Sequence, residues 1–90
     1  MDPAVRKELD TMLGMVVNWR EDKMRMAGGE NGWDFLAKDL TEEIEEHIYP
    51  YVRRMLECNY ITVTELSDFL NLCFAEVTLL ADHLKPVKDG

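Results

Sequence analysis

Cysteine is scarce in this 90-residue chain: only Cys58 and Cys73 occur, without metal-ligand spacing. A disulfide framework and a zinc site are therefore excluded, and both thiols are read as core side chains. Basic residues are outnumbered, ten Lys and Arg against eighteen Asp and Glu, for a net charge of -8. That is the wrong sign for tracking a phosphate backbone, so a nucleic-acid polymer is excluded as partner. No apolar run approaches the roughly 20 residues of a membrane span, and Met1-Asp2-Pro3 lacks the layout of a secretion signal. The expectation is a cytoplasmic protein that does not engage a membrane. What is present, 47% apolar and 31% charged residues, suffices for one domain over residues 1–90. A chain of this size buries only about two-thirds of its unfolded surface, so a homodimer or a dimer of dimers is expected to cover the rest.

The apolar pattern is helical throughout. Asp2 is a helix cap and Pro3 a first helical residue, followed by Val5, Leu9, Met12, Val16 and Trp19 on one stripe. Leu13, Val17 and Met24 widen that stripe, and the spacing predicts a helix from Pro3 to about Met26. Gly28-Gly29-Glu30-Asn31-Gly32 is the breaker-rich connection. It is followed by Trp33-Asp34-Phe35 and not by the Lys-Ser/Thr of a phosphate-binding loop. A second helix carries Trp33, Leu36, Ala37, Leu40, Ile44, Ile48, Tyr51, Val52 and Met55 and ends near Cys58-Asn59. Pro50 lies inside it, so a kink near His47 or a break is expected. Thr62 and Glu65 form a capping box, with Ile61 and Leu66 as the staple, for a third helix from about Val63 to Lys85-Pro86. The fold class is all-α: three helices, the second and third an antiparallel pair that completes a four-helix-bundle core in a dimer.

Acidic residues recur at helical spacing. Glu43 with Glu46, and Glu65 with Asp68, are three apart and neighbours on their helices. If the two helices bring the pairs together, four carboxylates repel one another unless a hard cation sits among them, and Mg²⁺ or Mn²⁺ suits all-oxygen ligands. Taken alone, the run Glu42 to Glu46 also reads as a solvated helix face, and Glu65 as a cap. Glu65 and Asp68 share the side of their helix with Leu72 and Leu79, opposite much of the main stripe, which implies packing against another surface.

Glu-Glu-x-x-Glu at Glu42, Glu43 and Glu46, then eighteen residues (47–64), then Glu-x-x-Asp at Glu65 and Asp68, resembles the signature of MazG-like, all-α nucleoside triphosphate pyrophosphohydrolases. The resemblance runs from about Trp33 to Leu80. It implies Mg²⁺-dependent cleavage of a nucleoside triphosphate between the α and β phosphates, giving a monophosphate and pyrophosphate. It also implies Glu43, Glu46, Glu65 and Asp68 as metal ligands. Glu42 and Glu46 are the catalytic candidates, Glu42 as a further ligand or as the base that orients water. Trp33 and Phe35 match aromatic positions that can stack on a nucleobase, although core packing is the plainer use of each. The alternative on the same scaffold is a non-catalytic helical dimerisation or adaptor module.

Other constellations are weaker. His47 and His83 lack the Glu three residues earlier that a di-iron bundle requires, since Ile44 and Leu80 stand there. No Ser or Cys is placed with a His and an acid for nucleophilic catalysis.

Overall fold

Three helical rods run up, down and up. The computed structural model describes the backbone of residues 2–26 and 33–84, and the side chains of residues 2–25 and 35–83. The elements are α1 (Pro3–Met26), α2 (Trp33–Glu43), a π-helical turn (Ile44–Ile48), α3 (Tyr49–Glu57) and α4 (Val63–Leu84). Among the described residues there is no strand. The glycine-rich connection at residues 28–32 lies outside the described residues.

Each helix end follows local chemistry. Asp2 Oδ1 accepts the Ala4 N–H at 2.8 Å, and Pro3 starts α1. The capping box of α4 is complete: the Thr62 N–H donates to Glu65 Oε1 at 2.9 Å, and the Glu65 N–H donates to Thr62 Oγ1 at 3.1 Å. At the end of α3, Asn59 takes the left-handed conformation with φ 65°. The Tyr60 N–H then reaches the Met55 carbonyl and the Asn59 N–H the Leu56 carbonyl, at 2.9 and 3.0 Å. This is a Schellman stop, and asparagine is one of the few non-glycine residues suited to it. The turn leaves Cys58 exposed while Cys73 is fully buried. The reading of both thiols as core is thus corrected: Cys58 is the capping residue of α3 and is exposed.

Pro50 neither breaks nor ends the second rod. Its ring would clash with the Glu46 carbonyl in a plain α-helix, and it cannot donate to that carbonyl. The chain instead widens one turn, with the Tyr49 N–H bonding the Ile44 carbonyl five residues back, and Pro50 falls in the first turn of α3 where a missing donor is tolerated. The widening also corrects the face. Leu40, Ile44, Ile48 and Val52 are all buried, yet steps of four drift by about 40° each in an α-helix, about 120° over three. One additional residue in the π turn absorbs about 100° of that drift. Tyr51 belonged to the expected apolar stripe but is exposed, because the register that keeps Val52 inside turns its neighbour out.

The core is a single cluster. Val5, Leu9, Met12 and Val16 of α1 meet Leu40, Ile44, Ile48, Val52 and Met55 of the second rod and Phe69, Cys73 and Leu80 of α4. Each large apolar side chain removed from water there contributes about 1.5–3 kcal/mol before ordering costs. The bundle measures 48 × 23 × 19 Å. At about 10 Å per helix it is only two helices thick, so every helix keeps an outward face.

Candidate functional site

The candidate acids differ in exposure and in employment. Glu42, Glu46 and Asp68 are exposed, while Glu43 and Glu65 are half-buried. Glu65 is engaged with Thr62 at the start of α4. Measured from the turn at residues 58–62, Glu46 lies eleven residues up its rod from Glu57, and Asp68 only five above Val63. At about 1.5 Å per residue the two stand about 9 Å apart along the bundle axis, and Glu43 and Asp68 about 13 Å. Among the described residues, no group of three or more His, Cys, Asp or Glu side chains gathers to hold a metal ion. Mg²⁺ is held by one or two carboxylates with waters and phosphate oxygens completing its shell, and the four candidate ligands are not gathered around one point within this chain.

Glu43 has a different cation. Lys23 of α1 is 7% exposed, and its Nζ lies 3.2 Å from Glu43 Oε1 and 3.5 Å from Asp39 Oδ2. Asp39 and Glu43 are four apart on α2 and flank the ammonium from one face. The contact to Glu43 is an ion pair without hydrogen-bond alignment, so the shielded Oε1 has no hydrogen-bond partner. A buried charge is tolerable only when paired, and the lysine stem adds apolar area beside the core. The stripe itself pointed here: Lys23 follows Val16 and Trp19 at steps of three and four, where an apolar residue would stand.

The rest of the α1 and second-rod interface is ordinary packing with polar edges. Trp19 meets His47 edge to face at 6.3 Å, which accounts for both without a ligand role. Tyr51 donates its hydroxyl hydrogen to Glu8 Oε1 at 3.0 Å, and that carboxylate raises the phenol above its usual pKa. Glu8, His47 and Tyr51 edge an open furrow of about 700 Å³ that also meets Val5, Arg54 and Tyr60. Burial pushes the Cys73 thiol up to about 11, with Glu76 adding to the effect, so it is protonated at neutral pH and is no nucleophile.

Two further expected positions remain. Phe35 is 65% exposed on α2, so it is a surface aromatic and not a core one. The Trp33 side chain lies outside the described residues. Arg20 of α1 donates to Glu76 of α4, and Leu72 and Leu79 of α4 stand exposed at 54% and 50%. Phe35 and Val63 are exposed singly, whereas Leu72 and Leu79 form a strip along one helix that intrachain packing leaves uncovered. Compared with known proteins, the chain matches no family model, no curated protein and no solved structure.

Proposed function

We propose that this chain is a non-catalytic helical interaction module, a three-helix scaffold that offers the outer side of α4 to a further helix. The observation that carries this reading is the exposure of Leu72 and Leu79, one heptad apart on one side of α4. The acids support it by their local employment: Glu43 neutralises Lys23, and Glu65 caps α4.

A second reading, Mg²⁺-dependent nucleoside triphosphate pyrophosphohydrolysis, draws on one observation. Glu42, Glu46 and Asp68 remain exposed on rods that pack against each other, and Glu46 sits in the π turn, a deformation often found at working sites. On that reading a second copy supplies the missing ligands.

Association and turnover are the joint test. Sedimentation of the chain, alone and with amphipathic helical peptides, should show a complex that L72E/L79E removes. No pyrophosphate should appear from a panel of ribo- and deoxyribonucleotides with Mg²⁺. A chain that takes no helix and releases pyrophosphate in a reaction abolished by Asp68→Asn is an enzyme, and the module reading falls.

A further inference from the structure

Asp68, Leu72, Ala75, Leu79 and Asp82 follow one another on α4 at steps of four, three, four and three residues. At about 100° per residue they occupy one arc of about 80°. All five are exposed. A recurrence averaging 3.5 residues is the seam along which one helix lies on another, and small Ala75 leaves room between the two leucines for a large side chain.

Charge selects what lies there. From Val63 to Leu84, α4 carries Glu65, Asp68, Glu76 and Asp82 and neither Lys nor Arg. Glu76 is bonded by Arg20 and Glu65 by the Thr62 N–H. Asp68 and Asp82 stand at the two ends of the leucine strip, and among the described residues neither is ion-paired. A second copy fits this seam badly. Paired antiparallel about Ala75, it sets Asp68 against Asp82 of the other copy; paired parallel, it sets each acid against itself. Both registers place like charges opposite one another, on molecules that each carry a net charge of -8.

We propose that this seam docks a basic amphipathic helix of a partner protein. Its apolar side chains pack on Leu72, Ala75 and Leu79, and its lysines or arginines lie opposite Asp68 and Asp82. The inference rests on the interaction-module reading and adds to it the chemistry of the partner.

The probe is a labelled helical peptide of roughly 20 residues, the length of α4, with leucines on a heptad seam and lysines flanking it. A matched peptide carries glutamates in place of the lysines. Fluorescence anisotropy with the full chain should show one-to-one binding of the lysine peptide only, weakening as salt is raised to about 0.5 M. Leu79→Glu should weaken it at least roughly tenfold and Asp68→Lys severalfold. Both positions are exposed, and unchanged circular dichroism and melting show that each variant is folded. Equal binding of the two peptides overturns the basic partner and leaves the module reading standing. So does self-association of the chain through Leu79 with neither peptide taken. Lysine-peptide binding that survives both substitutions is general attraction to an acidic surface and overturns the site. A monomer that binds neither peptide overturns both readings.

Discussion

Lys23 Nζ stands 3.2 Å from Glu43 Oε1, so the acid at the centre of the Glu-Glu-x-x-Glu motif is neutralised by a lysine of α1. The lysine is nearly buried whereas Asp39 and Glu43 keep 40% and 34% of their side chains in contact with water. That asymmetry predicts unequal costs. Removing Lys23 leaves two carboxylates that are still partly in water, although Glu43 Oε1 stays shielded; removing the carboxylates strands a nearly buried ammonium. Lys23→Met should cost under about 1 kcal/mol, and Asp39→Asn with Glu43→Gln about 2 kcal/mol, below the range for a fully buried pair because water screens the acids. Urea denaturation measures both, and a larger loss for Lys23→Met would contradict this account.

The π turn makes a prediction of its own. Deleting exposed Glu45 brings Leu40, Ile44, Ile48, Val52 and Met55 to steps of four, three, four and three, a regular α-helical seam. Pro50 would then clash with the carbonyl four residues back. The deletion alone should cost about 3 kcal/mol, and most of that should be recovered when Pro50→Ala is added. Equal stability of the two deletion variants in urea melts would show that Pro50 does not cause the π turn.

Stability should fall in strong alkali. The Cys73 thiol has an ordinary pKa of 9.0, raised to about 11 by burial. Below pH 9 the thiol is protonated folded or unfolded and costs nothing; between pH 9 and about 11 only the unfolded chain releases the proton, so unfolding gains. Tyr51, raised by Glu8, acts in the same direction above its ordinary value of 10.0. Cys73→Val should flatten part of that decline in thermal melts from pH 8 to 11, and a slope identical to the parent's would refute the assignment. At neutral pH a thiol reagent should label Cys58 and reach Cys73 only on unfolding.

Divalent ions should leave the fold's melting temperature unchanged, because no carboxylate cluster among the described residues is preformed to bind them. A rise of several degrees at saturating Mg²⁺, absent in Asp68→Asn, would favour the pyrophosphohydrolase reading.

Thr62→Ala should cost about 1 kcal/mol, the usual value of an N-cap hydroxyl. Glu65→Gln should cost less, since a glutamine oxygen can still accept the Thr62 N–H. The reverse order in chemical denaturation would give Glu65 a role beyond the cap.

Much of the architecture was legible because it is written in short-range chemistry. Asp2-Pro3, Thr62 with Glu65 and the 3.6-residue recurrence of apolar side chains each act within a turn or two, so the three rods and most of their buried faces follow from residue order alone. The helix end near Asn59 did too, since few other residues accept its left-handed backbone. The consequence of Pro50 was only half legible: spacing shows that a helix must be disturbed there, while the core decides whether it bends, stops or widens. Register against α1 and α4 chose a π turn, and with it the exposure of Tyr51.

The acids show the limit more sharply. Residue order places Glu43 beside Glu46 and Glu65 beside Asp68, but the height at which two rods meet depends on the turn between them and on how their side chains interlock. A lysine sixteen residues before Asp39 is invisible as its partner until α1 and α2 pack. Sequence alone therefore determined the helices, their caps and the acidic sign of the surface, all properties of neighbours along the chain. Tertiary packing alone decided which charges meet, because opposite charges attract by their separation in space and carry no record of their separation in sequence.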